Sequence, residues 1–346
     1  MTPNGVLTRA IDALAARTDL ESDETAAVLR EIMEGRASEA EIAAFLIALR
    51  TKGETAAELV GLARAMRALA TPVEVRHGDL LDTAGTGGGR PTFNVSTTAA
   101  LVAAGAGCTV AKHGNRSATS RSGSADVLEA LGARIDLEPE AVAECIDEVG
   151  FGFMFAPAHH SATRHVVPVR RALGVRTIFN FLGPLTNPAG ATRQLIGVAD
   201  EAYLELIAAA LAALGARKAL VVSSEDGLDE ISASGATRVV ELSEGATETY
   251  LLSPEQLDVE PVPLAAIPAG SPRENADVVR RVLTGARGPE RSLTVLNAAG
   301  AIYVAGAATT LAEAARTAEE ALDSGAAERA LEAYVERTQA LAPSPA

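Results

Sequence analysis

Three short stretches of the chain carry residue types suited to holding a polyanion. Gly85-Thr86-Gly87-Gly88-Gly89 closes the apolar run DLLDTAG and is soon followed by Asn94-Val95-Ser96-Thr97-Thr98. Glycines let successive backbone N–H groups converge on an anion with no Cβ in the way, and a helix N-terminus adds partial positive charge. The spacing is neither the dinucleotide fingerprint nor a P-loop, because the glycines are spaced differently and no Lys-Ser/Thr pair closes the run. In the second stretch, Lys112-His113-Gly114-Asn115-Arg116-Ser117-Ala118-Thr119-Ser120, nine residues hold an ammonium, a guanidinium, an amide and several hydroxyls. Such a set clamps oxyanions and sugar hydroxyls. The third, Asp226-Gly227-Leu228-Asp229-Glu230, follows the apolar run KALVVSS. Adjacent carboxylates beside a phosphate site suit Mg2+, which takes one or two carboxylates plus substrate oxygens. Asp229 and Glu230 are expected on an exposed loop.

The charge distribution points the same way. The formal net charge is −15, from 30 Lys and Arg against 45 Asp and Glu, which disfavours nucleic acid or an anionic membrane as partner. Yet residues 83–125 contain no acid while carrying Arg90, Lys112, Arg116 and Arg121, and residues 149–199 contain none while carrying Arg164, Arg170, Arg171, Arg176 and Arg193. Two such windows in an acidic chain predict a local positive field and a small polyanionic ligand.

The elements that position these stretches are legible from caps and periodicity. Ser22 precedes a helical run that stops at Gly35, Ser38 with Glu41 forms a capping box for a run ending at Gly53, and Thr55 with Glu58 caps a third. The texture then changes to short apolar runs alternating with Ala-rich helical stretches, which predicts a sheet with crossover helices. The stretch from Pro168 to Pro188 interrupts that alternation and is expected to leave the sheet and pack against the N-terminal helices. Ser253 to Arg273, with five prolines, reads as loop or edge structure, and helices are expected over Ser292–Ala305 and Leu311–Leu341. The fold class is therefore α/β: a small all-helical N-terminal domain plus a larger α/β domain with a central sheet flanked by helices. The expected boundaries are 1–76 for the helical domain, completed by about 166–190, with 77–165 and 191–346 forming the α/β domain. With 346 residues and 48% hydrophobic content, the chain has enough material for two domains. No apolar run is long enough to span a bilayer and the start lacks a signal-peptide pattern, so a cytoplasmic location is expected. Cys108 and Cys145 are too few for a disulfide framework.

In combination, GTGG at 85–88, FNVSTT at 93–98, KHGNR at 112–116, GSADVLEALG at 123–132, PVRRALGVRTIFNFLGPLTNPA at 168–189 and DGLDEIS at 226–232 resemble the anthranilate phosphoribosyltransferase family. The resemblance runs from about Ser38 to Ala305. It implies transfer of the phosphoribosyl group from 5-phosphoribosyl 1-diphosphate to the amine of anthranilate, giving N-(5-phosphoribosyl)anthranilate and diphosphate, in tryptophan biosynthesis. It also implies Mg2+ as cofactor and a homodimer.

Carried onto matching positions, the resemblance implies a phosphoribosyl diphosphate site of Gly85, Gly88, Gly89, Thr92, Asn94, Val95, Ser96, Thr97, Lys112, His113, Gly114, Asn115, Arg116, Ser117, Ala118, Thr119, Ser120 and Ser124. Gly85, Asn115, Arg170 and Gly183 would line the anthranilate site with His113 and His160 nearby, and Ser96, Asp229 and Glu230 would serve Mg2+. No acid, base or nucleophile is assigned. One departure stands out: the family usually reads GTGGD with three residues before the Thr, whereas this chain has Gly89 in place of the acid and then only Arg90-Pro91. Arg90 either compensates in part by reaching a phosphate oxygen or points into solvent while Pro91 stiffens a trimmed turn. The competing readings are a pyrimidine nucleoside phosphorylase-like enzyme and a non-catalytic ligand- or nucleic-acid-binding relative.

Overall fold

In the computed structural model, which describes residues 3–76, 78–117 and 121–342, four N-terminal helices precede a mixed sheet. They are α1 (Gly5–Ala15), α2 (Ser22–Met33), α3 (Glu39–Lys52) and α4 (Ala56–Ala68). The capping boxes close as their sequences dictate: the Ser38 N–H donates to Glu41 at 2.8 Å and the Thr55 N–H to Glu58 at 2.8 Å. The second run differs slightly, since its cap is Glu21 rather than Ser22, with Glu24 accepting from the Glu21 N–H at 2.9 Å.

The sheet comprises β1 (Leu81–Gly85), β2 (Val110–Gly114), β3 (Phe151–Phe155), β4 (Arg193–Gly197), β5 (Lys218–Ser224), β6 (Thr237–Ser243) and β7 (Ala246–Leu252), in the order β3-β2-β1-β4-β5-β6-β7. The first five are parallel; β6 and β7 extend the β5 side as an antiparallel hairpin. Helices α5 (Val95–Gly105), α6 (Ser124–Ala130) and α7 (Pro139–Val149) serve the first crossovers. After β3 the chain crosses to the far side of β1 to enter β4. Strand order therefore reverses between β1 and β4, where an open α/β sheet leaves a crevice beyond its strand carboxyl ends.

The crossing passes through α8 (Ala156–His159), α9 (Val167–Leu173) and α10 (Phe179–Leu185), followed after β4 by α11 (Leu204–Ala213). Val166, Val169, Ile178, Leu182 and Leu185 share one apolar core with Leu29, Phe45, Leu46 and Leu62 of the N-terminal helices and with Ile207 and Leu211. Successive strand residues point to opposite faces: Ile196, Val221 and Val240 join this core, while Leu195, Leu220 and Val239 join a second one. That second core also includes residues of α5, α6 and α7, and of α12 (Pro272–Leu283), α13 (Pro289–Ala305), α14 (Leu311–Asp323) and α15 (Ala326–Leu341).

Three expectations are corrected. Between Ser253 and Arg273 the chain forms two short 3-10 turns, and its last two residues open the unforeseen helix α12, where Ser271 caps and Pro272 takes the first turn. The helix expected from Ser292 begins at Pro289. The long helix expected over Leu311–Leu341 is two, separated at Ser324 and at Gly325, whose φ of 71° favours glycine. Among the described residues no helix is long and apolar enough to cross a membrane, and both cysteines are buried and unpaired.

Candidate active site

The three stretches meet at the carboxyl ends of β1, β2 and β5. Parallel pairing puts Gly85 beside Gly197, and the glycine loop that follows is anchored on both flanks: the Thr86 N–H donates to the Gly197 carbonyl at 2.8 Å and the Arg90 N–H to the Gly227 carbonyl at 2.8 Å. Asp229 enters beneath it, accepting from the Gly87 N–H at 3.1 Å. Glycine is required here because a Cβ at Gly89 would overlap the Asp229 carboxylate. Arg90 itself is exposed, its side chain lying along Gly227.

Lys112 is the cation at the centre. Only 1% exposed, it donates from Nζ to the Thr83 carbonyl, to Thr83 Oγ1 at 3.1 Å and to Ser96 Oγ at 3.4 Å. Thr83 in turn donates to the Ser96 carbonyl at 3.0 Å, locking the start of α5 to β1. Burial pulls the Lys112 ammonium below its usual range, and the carboxylates of Asp82 and Glu230 oppose that pull. Asp82 is fully buried: one oxygen accepts from the His113 N–H at 3.0 Å and the other from Asn187 Nδ2 at 2.8 Å. Sequence reasoning missed Asp82, Thr83 and Asn187. For the first two a signal was available, since the polar pair Asp82-Thr83 inside a central strand must find partners.

Asp229 and Glu230 are not exposed as expected; both are half-buried, because the side chain-free positions Gly85, Gly89 and Gly197 let the loop sink onto the sheet. Burial raises the Asp229 carboxyl. Burial first, then the Asp229 charge, pushes Glu230 up to about 8, while Lys112 and the Ser96 N–H pull it down. Two adjacent, poorly hydrated carboxylates, one of them on the Ser96 N–H, are oxygen donors that a hard divalent cation fits, since its charge relieves both burial and repulsion.

The second wing lies at β2, α8 and α10. His113 Nδ1 sits 3.1 Å from the Gly183 carbonyl, and His160 Nε2 sits 3.1 Å from the Thr186 carbonyl. Each carbonyl accepts, so that ring nitrogen carries the proton. The two rings are 5.1 Å apart. Buried His113 Nε2 has no partner among the described residues. His159 is held elsewhere, against the Thr71 carbonyl at 3.1 Å. Burial pushes His113 down to about 3 and His160 to about 4. Both rings are therefore neutral above pH 5, and their imidazole C–H proton resonances are expected to stay fixed between pH 5 and 8. A resonance assigned to either ring that titrates near 6.5 would contradict this.

Other expected residues fall around these wings. Asn94 bonds Ser122 at 3.1 and 3.0 Å and accepts from Asn275 at 2.9 Å, which fastens the start of α5 to α12. The Val95 side chain is in the core, so only its backbone can meet a ligand. Thr97 Oγ1 is buried without a partner among the described residues. Thr92 Oγ1 donates to the Phe93 carbonyl at 3.0 Å, and Gly114 lies close under Ser124 and Phe153. Asn115 is exposed, its carbonyl accepting from Ser124 Oγ at 3.3 Å. The Ser117 N–H donates to Asp126 at 3.2 Å. Arg116 turns outward to Asp126 at 2.9 Å and to Glu129. Ala118, Thr119 and Ser120 lie outside the described residues. Arg170 is half-buried with its guanidinium 5.6 Å over the Phe179 ring; burial lowers its pKa, and no carboxylate pairs with it among the described residues. Arg176, read from sequence only as one of several cations, reaches the glycine loop and donates to the Gly87 carbonyl at 2.6 Å.

Residues 8–70 match the model of the glycosyl transferase family helical bundle domain, and residues 77–328 that of the glycosyl transferase family a/b domain. The chain is 52% identical over 322 residues to the anthranilate phosphoribosyltransferase of Desulfatibacillum aliphaticivorans, covering 93% of this chain and 95% of that one. It is 51% identical over 326 residues to that of Moorella thermoacetica, covering 94% and 96%. The chain belongs to the anthranilate phosphoribosyltransferase family. The crystal structure of the Thermus thermophilus enzyme superposes with a TM-score of 0.91 at 46% identity, covering 95% of this chain and 99% of that one. The Saccharomyces cerevisiae enzyme in complex with phosphoribosyl diphosphate and Mg superposes with a TM-score of 0.89 at 29% identity, covering 98% and 99%. Family membership makes the chain a pentosyltransferase and sets aside the nucleoside phosphorylase and non-catalytic readings.

Proposed function

We propose that the anthranilate phosphoribosyltransferase reaction runs here between the two wings of the crevice, with no protein nucleophile. The reading rests on one observation: Lys112, Ser96, Glu230 and the Asp229-pinned glycine loop converge at the carboxyl ends of three parallel strands. The diphosphate lies on the glycine loop, the start of α5 and the KHGNR segment, where backbone N–H groups and Lys112 meet its oxygens. Ser96, Asp229 and Glu230 are the residues that would hold Mg2+, which supplies charge neutralisation for the departing diphosphate. Arg170 pairs with the anthranilate carboxylate in fork geometry, and His113, Gly183 and His160 wall the same subsite.

The bond from the anomeric carbon to the diphosphate oxygen breaks as the amine nitrogen closes on the opposite face, inverting that carbon. The nitrogen then sheds one proton to water. An arylamine is already neutral at pH 7, and its alkylated ammonium form is strongly acidic, so no strong base is needed. The residues contribute positioning and electrostatics.

Loss of anthranilate fluorescence on mixing with phosphoribosyl diphosphate and Mg2+ tests the reading. An unchanged signal, or turnover only with a pyrimidine nucleoside and phosphate, would end it. Arg170→Ala is expected to raise the KM for anthranilate by roughly 10- to 100-fold, from a lost charge-assisted pair of about 1.5 to 3 kcal/mol. The KM for phosphoribosyl diphosphate should move little, and equal changes in both would dissolve the separate subsites.

Three further elements complete the reading. Helices α1–α4 act as one unit with residues 166–190. The protein works in the cytoplasm. It does so as a homodimer joined through the helical layer, where Ile47 and Val167 are large apolar side chains left 37% and 41% exposed. A monomer mass in sedimentation equilibrium would remove the dimer.

A further inference from the structure

Arg176 lies in the link between α9 and α10, on the helical side of the crevice, yet its guanidinium rests on the glycine loop. Nη1 donates to the Gly87 carbonyl at 2.6 Å, while Nη2 lies 3.5 Å from the Thr86 carbonyl and 3.4 Å from Thr86 Oγ1. The fit is close: Gly88 has a φ of 88°, and a Cβ there would overlap Nη1. Gly87 is thus held from both ends, with the Asp229 carboxylate on its N–H and the Arg176 cation on its carbonyl. Arg176 is itself held from behind, because Arg50 of α3 donates to its carbonyl at 2.9 Å.

Loop carbonyls facing the crevice would repel an incoming diphosphate. A guanidinium engaging two successive residues neutralises those dipoles and fixes the loop with its remaining N–H groups available. Arg176 meets the two residues with two separate nitrogens of one rigid plane, whereas a lysine offers a single ammonium on a shorter stem and cannot reproduce that two-point span.

We propose that Arg176 is a positioning residue for the phosphate loop and that, through Arg50, it couples the helical layer to phosphoribosyl diphosphate binding. The proposal rests on the function argued above. It makes the link between the domains part of the substrate site: a displacement of α3 or of the α9–α10 link is transmitted to the loop backbone.

The test compares full-length wild type, Arg176→Ala, Arg176→Lys and Arg50→Ala by initial rates, by calorimetric titration with phosphoribosyl diphosphate and by thermal melting. Arg176→Ala is expected to raise the KM and Kd for phosphoribosyl diphosphate by about tenfold or more, with the KM for anthranilate changing by less than about twofold. Arg176→Lys should recover only a minor part of the loss, and added methylguanidinium should restore binding to Arg176→Ala but not to Arg176→Lys. Arg50→Ala should shift the same constants in the same direction by about two- to threefold, as expected for an exposed hydrogen bond. A lowered melting temperature with both KM values unchanged, equal changes in both KM values, or full rescue by lysine would overturn the proposal. Wild type that neither turns over nor binds phosphoribosyl diphosphate would instead overturn the functional reading, and this proposal with it.

Discussion

Changing Asp229 to Asn and Glu230 to Gln together is expected to lower turnover by about three orders of magnitude while leaving the fold intact. A bound divalent cation contributes several kcal/mol to stabilising charge on a departing diphosphate, and about 4 kcal/mol corresponds to a factor of roughly 10^3. Neutral amides are poor ligands for a hard cation. They do preserve the loop, because an Asn oxygen can still accept the Gly87 N–H that Asp229 accepts at 3.1 Å, and removing two neighbouring half-buried carboxylates relieves their repulsion. The melting temperature should therefore hold or rise. The wild type carries a pH signature as well. Glu230, pushed up to about 8 by burial and by Asp229, is protonated below that pH, and the proton competes with the cation. Apparent Mg2+ affinity should strengthen as pH rises from 6 to about 8 and level off above it, and Glu230→Gln should flatten the profile. Full activity of the double variant at saturating Mg2+ would remove the metal role.

Lys112→Met should cost a further large factor, about 10^2 to 10^3 in kcat/KM for phosphoribosyl diphosphate, from the loss of a buried cation whose charge-assisted contacts are worth more than exposed ones. The substitution keeps most of the buried volume. Asp82 keeps its bonds to the His113 N–H and Asn187 but loses the Lys112 charge that most favours its ionised form, so this buried carboxyl is expected to take up a proton. Circular dichroism should show the helix content of wild type. Near-normal kinetics would place the cation outside the substrate site, and an unfolded variant would assign Lys112 to the sheet core instead.

Local signals made much of this architecture legible. Ser38 with Glu41, Thr55 with Glu58 and the strand–glycine–helix successions are decided by neighbours a few residues apart, and the first acid-free window holds two of the three stretches that the structure brings together. The misses are tertiary or were overlooked. Arg176 finds its carbonyl 89 residues away, and nothing local distinguishes it from Arg171 or Arg164. The burial of Asp229 depends on glycines at 85, 89 and 197 from two other strand ends. Asn187 locks onto Asp82 across 105 residues. Helix α12 was within reach: Ser271, Pro272 and Glu274 spell a capping box with proline in the first turn, masked by the proline-rich run before it.

The shared core of the helical layer also has a consequence during synthesis. Arg67 of α4 donates to the Leu185 carbonyl across 118 residues of chain, and Leu29, Phe45 and Leu62 pack with Val166, Ile178, Leu182, Leu185 and then Ile207. At roughly 5 to 20 residues per second, α1–α4 leave the ribosome about 6 to 24 s before the segment that covers their apolar faces. Over that interval the nascent chain carries four helices whose apolar side chains have no completed interior, the state that chaperones bind. Slowed translation between Ala68 and Leu185 would lengthen that exposure, and aggregation of this chain should track codon speed there more than anywhere downstream.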